Sequence, residues 1–302
     1  MPSQRDVKDR ISSVKNIQKI TRALETVAAA RLRRAEQRIE ALRPYADAVR
    51  RMTRQAAEAA GAEAMRLPLL SEHEATQNVG VLLVTGDRGL AGGFNSQIIR
   101  AGVRISGEYA DEGVHTAWYA TGRRGVSSLT FRGHVPSGSY TGFADRPAYA
   151  DARSIADDLM TGYADGALDR VEIVYNAYIS PLSQQVARET LLPLSAATIA
   201  AEDQAADEQH PSERGVRALV EYEPGPEEIL KRLVPDYVEI SIYRALVEST
   251  AGFFGAQMTA MRSASDNAGE LITDLTLQMN RARQAEITQE IMEVVAGAEG
   301  LT

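Results

Sequence analysis

Apolar residues recur mostly at steps of three and four through the first fifty residues: Val7, Ile11, Val14, Ile17, Ile20, Leu24, Val27, Leu32, Ala35, Ile39, Leu42, Ala46, Val49 and Met52. That spacing predicts one long helix with a single apolar stripe. Ser3 is placed to cap its start, with Asp6 three residues on to complete the capping arrangement. Pro44 interrupts the pattern, which predicts either a kink or a helix braced by a neighbour. About 55 residues at 1.5 Å rise give an element roughly 80 Å long.

The far end of the chain has the same texture. Tyr243, Val247, Thr250, Phe254, Met258, Met261, Ala264, Ala268, Leu271, Leu275, Met279, Ala282, Ile287, Ile291 and Val294 continue the helical period, and Pro235 sits where a first-turn proline is tolerated. This second helix is roughly 90 Å long.

Between them the period changes. Val79–Val84 and Val114–Ala120 read as strands, Asn95–Glu108 and Tyr149–Gly162 as helices. "VEIVYNAYIS" from Val171 and "QVARETLLPL" from Gln185 read as two further strands, close enough to pair as a hairpin. Alternating strands and helices predict a layered α/β domain with a mixed sheet. The expected division is a helix over 1–57, the α/β domain over 58–232 with a polar, alanine-rich exposed loop near 195–215, and a helix over 233–302. A domain of about 180 residues is roughly 40 Å across. Helices twice as long cannot both bury their stripes against it, so the terminal helices are expected to pair as a projecting antiparallel coiled coil.

Composition narrows the function. A net charge of -8 argues against general binding to nucleic acid or an acidic membrane. Basic residues nevertheless outnumber acids from Arg5 to Arg54, which is either a solvated helix face or an arm for one acidic partner. With no cysteine, disulfides, thiolate metal sites and cysteine nucleophiles are excluded. "MPSQRDVKDR" lacks the profile of a signal peptide, and no apolar run approaches the roughly 20 residues of a spanning helix. A chain on the cytosolic side with no direct membrane insertion is expected.

"TGDRGLAGGFN", Thr85 to Asn95, is the candidate nucleotide loop. It has no lysine to meet outer phosphates, its glycines miss the dinucleotide spacing, and Asp87 would repel a phosphate. Two other readings stand beside the phosphate one: a tight strand-to-helix turn with Asn95 or Ser96 capping the helix, or a surface where Arg88 meets an acidic partner. His73, His115, His134 and His210 are scattered without metal-ligand spacing. No serine lies in a GxSxG elbow. Asp157 and Asp158 read as a solvated helix face, and Trp118 as a core residue. No catalytic residue, cofactor site or metal site is expected.

Several stretches carry a family resemblance. Arg10 to Ala46 ("RISSVKNIQKITRALETVAAARLRRAEQRIEALRPYA"), the "TGDRGLAGGFN" loop, Glu223 to Ser249 and Ala260 to Leu301 resemble, in order, segments of the γ subunit of F-type ATP synthases. The resemblance implies a small Rossmann-like domain between the two paired terminal helices. It implies a single-copy, non-catalytic central-stalk rotor of a proton-translocating ATP synthase. Such a rotor runs through a hexamer of three α and three β subunits, stands on the membrane c-ring beside the ε subunit, and carries torque between them. It would lie peripherally on the cytoplasmic face of the cell membrane. By the same resemblance Arg283, Gln284 and Thr288 are the "catch" that grips a β-subunit loop. Leu24, with Lys19 and Arg22 and joined by Arg88, meets the acidic lever of β; Arg31, Arg33 and Arg34 lie nearby. Beyond the catch, "IMEVVAGAEGL" has the small apolar character of a bearing tip. One stretch departs: where the family reads Ser-Glu-x-Ala-Ala-Arg, this chain has Gly252-Phe253-Phe254-Gly255-Ala256-Gln257. Gln257 stands where arginine is common, and the two aromatics either thicken the coil seam or face another subunit. The competing readings are a free-standing nucleotide-binding α/β enzyme and a self-associating coiled-coil scaffold.

Overall fold

A computed structural model of the chain describes residues 4–61, 67–194, 223 and 225–299. Ser3 and the predicted loop near 195–215 lie outside the described residues. The described chain runs α1 (Gln4–Ala60), β1 (Asn78–Val84), α2 (Phe94–Asp111), β2 (His115–Thr121), α3 (Arg123–Phe131), β3 (Gly138–Tyr140), α4 (Tyr149–Ala164), β4 (Arg170–Ser180), β5 (Ser183–Leu192) and α5 (Pro226–Glu299). It divides into two compact units: Met1–Ala30 with Gln257–Thr302, and Arg31–Ala256.

The larger unit is built on a five-stranded sheet of order β3-β2-β1-β4-β5. β1 pairs in parallel with β2 and β4, and β2 with β3, while β5 folds back antiparallel on β4. "VGVLLV" is apolar without alternation because β1 is covered on both faces, as a central parallel strand must be. On one face Leu82, Val171 and Ile173 meet Ile155 and Leu159 of α4 and Val238, Ile242 and Leu246 of α5. On the other, Leu83 presses on α2 so closely that a Cβ on Gly102 would lie 2.5 Å from a Leu83 methyl. Trp118 is buried, as expected.

Two short elements carry too little pattern to be foreseen. α3 buries only Gly125 and Leu129, and β3 is three residues long. Asp157 and Asp158 are exposed, as expected, and Asp158 also accepts a 2.5 Å hydrogen bond from the β3 tyrosine Tyr140.

In the same unit the later part of α1 packs on the start of α5 through Ala46, Val49, Ala56, Leu230, Val234 and Tyr237. α1 runs unbroken through Pro44. Glu40, whose carbonyl the proline leaves without a partner, is exposed to solvent, and the buried Ala46 and Val49 brace the next turn. Pro235 is not a first-turn proline. α5 starts at Pro226, with Glu227 and Glu228 in its first turn and the Gly225 carbonyl accepting from the Glu228 and Ile229 amides. The helix therefore absorbs Pro235 in its interior.

The smaller unit is an antiparallel helix pair. Val7 and Ile11 of α1 meet Leu275 of α5, and further along α1 Glu25 accepts from Arg262 at 2.8 Å. The inward positions follow alternating steps of four and three: Val7, Ile11, Val14, Gln18, Thr21, Glu25 and Ala28 on α1, with Met261, Ser265, Ala268, Ile272, Leu275 and Met279 on α5. That is the heptad spacing of a coiled coil. It corrects the expected stripe. Ile17, Ile20 and Val27, placed on the seam by their hydrophobicity, stand about one helical position, roughly 100°, away from it and are 53%, 59% and 48% exposed.

Candidate functional site

In the helix pair, Lys15 and Lys19 lie one turn apart on α1, with Arg22 a further turn on. Together with Gln18, Gly269 and Ile272 they line an open groove of about 390 Å³. Gly269 has no side chain to fill it. Arg22 Nε donates to Ser265 Oγ at 3.3 Å and Gln18 Nε2 to the Ser265 carbonyl at 3.2 Å. These bonds fix the groove floor, while the Lys19 and Arg22 side chains stay largely exposed. Leu24 is half-buried beside the exposed Ile20 and Val27. A positive groove next to exposed aliphatic side chains suits a partner that is both acidic and apolar.

Further along α5, Arg283, Gln284 and Thr288 are all exposed. Thr288 Oγ1 donates to the Gln284 carbonyl at 2.8 Å, which leaves its lone pairs and the other two side chains pointing outward. From Ile272, at the groove, to Arg283 is roughly 16 Å along the helix, so the two sets of residues form separate contact sites. Ile287, Ile291, Met292 and Val294 beyond Arg283 are exposed too. Gln257 is half-buried at the start of this stretch.

The glycine loop belongs to the α/β unit. Neither Asn95 nor Ser96 caps α2; the N-cap residue is Gly93, and no side chain serves it. Asn95 instead clamps the loop, its Oδ1 accepting from the Gly86 amide at 2.8 Å and its Nδ2 donating to the Arg88 carbonyl at 3.1 Å. Asp87 turns inward. Its carboxylate accepts from the amides of Arg123 at 3.1 Å, Gly142 at 3.0 Å and Ala144 at 3.2 Å. Amides converging on one point form an anion site, and here the chain supplies the anion itself. Thr85 Oγ1 ties the same loops together, donating to the Thr121 carbonyl and accepting from the Gly125 amide.

Arg88 is 68% exposed and reaches Asp145 at 3.7 Å, and Asp145 also holds Arg31 of α1 at 3.2 Å. Arg88 therefore has an acidic neighbour within its own chain, which the sequence did not reveal. Phe253 and Phe254 correct another expectation: both are buried inside the α/β unit. They neither thicken the helix seam nor lie open to a partner.

Other polar clusters serve the fold. The buried Glu172 accepts from Tyr109 at 2.6 Å, Arg188 at 2.7 Å and Arg170 at 3.1 Å, joining α2 to the sheet. Burial, reinforced by Glu172, pushes the Tyr109 phenol above its ordinary range. His73 pairs with Asp169 at 2.9 Å and stacks on Tyr163. Among the described residues, no group of three metal-ligating side chains is clustered to hold an ion, and no helix is long and apolar enough to cross a membrane.

The family described as ATP synthase matches residues 3–301. The chain is 42% identical over 301 residues to the ATP synthase gamma chain of Rubrobacter xylanophilus, covering all of this chain and 99% of that one. It is 41% identical to that of Streptomyces coelicolor, covering 97% and 94%, and 40% identical to that of Trichormus variabilis, covering both in full. Its fold resembles a chain of the Euglena gracilis mitochondrial ATP synthase OSCP/F1/c-ring structure, with a TM-score of 0.68 and 15% identity over 99% of this chain and 94% of that one. A chain in the central stalk/c-ring structure from Tetrahymena thermophila mitochondria gives 0.60 at 24% identity, over 82% and 99%.

Proposed function

The chain belongs to the ATP synthase family, among its gamma chains, and on that premise we propose that it is the central-stalk rotor of an F-type ATP synthase. It carries torque between a membrane c-ring and the catalytic β subunits. The observation that supports this best is the helix pair of the smaller unit. Its seam is closed at heptad spacing, yet Ile17, Ile20 and Val27 on α1 and Ile287, Ile291 and Met292 on α5 remain outside it. A coiled coil that has buried its own seam and still exposes large aliphatic side chains needs a sleeve of other protein. A hexamer of three α and three β subunits supplies one.

Within that reading Lys19, Arg22 and Leu24 meet the acidic lever of β, with Arg88 adding charge from the glycine loop. Arg283, Gln284 and Thr288 form the catch on a β loop. Polar contacts favour one angular position over others and break without leaving an unsolvated charge, because all three side chains are exposed when free. The apolar residues after them act as a bearing. Gln257 makes a neutral contact where the family resemblance implies an arginine. The chain itself performs no chemistry: the anion position in its glycine loop is taken by Asp87, which disfavours the nucleotide-enzyme alternative. The shaft is formed by the two terminal helices, α1 ending at Ala60 and α5 starting at Pro226 where bounds of 57 and 233 were expected, with the α/β domain between them. The α/β domain meets the c-ring and ε subunit on the cytoplasmic face of the cell membrane, in one copy per complex.

The test is co-expression with α and β subunits. The chain is expected to join them in single copy, nucleotide hydrolysis is expected to require it, and a fluorescent tag on it should rotate on the immobilised hexamer. Exclusion from the complex, or stable homodimers that persist beside it, would overturn the rotor in favour of the scaffold.

A further inference from the structure

The segment Gly252-Phe253-Phe254-Gly255 of α5 is buried at all four positions, and its glycines and its rings meet different parts of the α/β unit. On one side Gly255 admits the β4–β5 hairpin to backbone depth, and Gly252 faces the Gln184 side chain of the same hairpin. A Cβ on Gly252 would lie 3.4 Å from the Gln184 side chain, and one on Gly255 only 2.9 Å from the Pro181 carbonyl oxygen. On the other side the Phe253 ring enters the crevice at the carboxyl ends of β1 and β2. It comes within 3.0 Å of where a Gly86 Cβ would be and packs edge-on to Phe94 at 5.5 Å. Open α/β sheets bind ligands outside these strand ends. Here the ring leaves a cavity of about 10 Å³ bordered by Thr85, Gly86 and Thr121, space for one water.

Phe254 completes the arrangement. Its ring lies under the Arg31 guanidinium at 5.5 Å, and Arg31 is itself held by Asp145. One turn before Phe254 along the helix, Thr250 Oγ1 donates to the Ala144 carbonyl at 2.9 Å. α5 is thus flanked by a hairpin pressed on its backbone and a ring seated in a crevice, while α1 is tied to the same place by charge. A helix held this way cannot turn about its axis without withdrawing the ring and driving a side chain into the hairpin. α5 continues unbroken through this segment to Glu299, so a twist applied here is passed along it.

We propose that Gly252–Gly255 is the grip through which the α/β unit and α5 exchange torque, with Phe253 as its key and the Arg31–Asp145 pair securing α1. This rests on the rotor reading and gives the two aromatics a role as positioning residues. It also assigns the strand-end crevice to the chain's own helix in place of a ligand.

The test uses the complete ATP synthase in sealed vesicles, with ATP hydrolysis and ATP-driven proton uptake measured on one preparation. Phe253→Ala should keep hydrolysis within about twofold of the parent while proton uptake per ATP falls about tenfold or more, because the packing lost with a buried phenylalanine ring no longer holds α5 against rotation. Phe253→Leu should restore most of it. A second arm does not depend on the truncated ring folding normally. This chain has no cysteine of its own, so Thr250→Cys with Ala144→Cys, neighbours across the same junction, introduces one cross-linkable pair within it. Oxidising that pair in the assembled enzyme should leave proton uptake per ATP unchanged, because a grip does not move during turnover. Full coupling in Phe253→Ala, or loss of turnover on cross-linking, would overturn the proposal. Failure of the unaltered chain to join α and β would instead overturn the rotor reading.

Discussion

Asp87 offers the sharpest test of how the glycine loop is built. Replacing it with alanine removes the acceptor of three backbone amides, those of Arg123, Gly142 and Ala144. The Asp87 side chain is 11% exposed, and the Arg123 guanidinium stands 4.0 Å from it. A hydrogen bond to a charged acceptor contributes about 1.5–3 kcal/mol, and a neutral one about 1. Water reaches the Arg123 and Gly142 amides while that of Ala144 is half-buried, so about 1 kcal/mol for each of the first two and about 1.5 for the third give about 3.5 kcal/mol in all. Every 1.4 kcal/mol is about tenfold in an equilibrium, so local opening should become more than a hundredfold easier. Hydrogen exchange read by mass spectrometry on the assembled complex checks this, with peptides spanning Arg123 and 142–144 losing protection and those of β1 keeping theirs. Asp87→Asn retains an oxygen without the charge and should lose about half as much. The vacated site should also accept an external anion. With a dissociation constant of about 10 mM, 100 mM inorganic phosphate would return about 1.4 kcal/mol to Asp87→Ala and nothing to the parent. Unchanged exchange at 142–144 in Asp87→Ala would refute the reasoning, because the loops would then be held by something other than the carboxylate.

Three further outcomes follow from other parts of the molecule. Gly122 has φ +79°, and a Cβ there would lie 2.2 Å from the Thr85 carbonyl oxygen, so Gly122→Ala should cost at least about 3 kcal/mol in urea unfolding, backbone strain and clash together; a shift under about 1 kcal/mol would contradict the geometry. At Asp169, burial opposes ionisation, but the hydrogen bonds from His73 and from the Asn78 and Gln77 amides outweigh it and hold the carboxyl below its ordinary value. A depressed folded pKa stabilises the fold above the unfolded value, about 3.9, and the benefit is lost as pH falls through the folded value. Asp169→Asn should therefore destabilise the chain at neutral pH and match the parent in strong acid; a constant difference across that range would show that titration plays no part. Removing the catch side chains together, Arg283→Ala, Gln284→Ala and Thr288→Ala, deletes at least two contacts of about 1 kcal/mol each and should slow hydrolysis by the complex roughly tenfold or more, whereas unaltered turnover would remove these residues from the proposed catch.

The elements legible in the sequence are those whose burial leaves a long or unbroken apolar pattern. β1 reads as a run of apolar residues because both of its faces are covered, and β4 and β5 read as a hairpin because only two residues part them. The register of the helix seam was not legible. Ile17, Ile20, Leu24 and Val27 outrank Gln18, Thr21, Glu25 and Ala28 on any hydrophobicity scale, yet the second set faces α5. A helix covered by two different partners carries two stripes, and periodicity alone reports the stronger. On the proposed reading that one awaits the other subunits, while small and polar residues such as Thr21, Ala28 and Ser265 let the two helices of this chain approach each other.

The loop residues illustrate a different limit. The sequence shows an acid beside glycines, and repulsion of phosphate follows from that alone. It does not show that amides 36, 55 and 57 residues further on converge on that acid. Nor does it show that Asp145 stands between Arg31 and Arg88. Gly252 to Gly255 departs from the family pattern, and no local rule explains two aromatics flanked by glycines inside a helix. Folding explains them jointly, because the hairpin that needs Gly255 and the crevice that takes the Phe253 ring lie on different faces of one helical turn. Losing a charged contact there does not weaken the junction if shape replaces it. A ring seated in a crevice resists rotation whatever the ionic strength, whereas an exposed ion pair is screened by salt. Truncating the ring should therefore cost the same fraction of coupling at low and at high salt, although the Arg31–Asp145 pair beside it is screened.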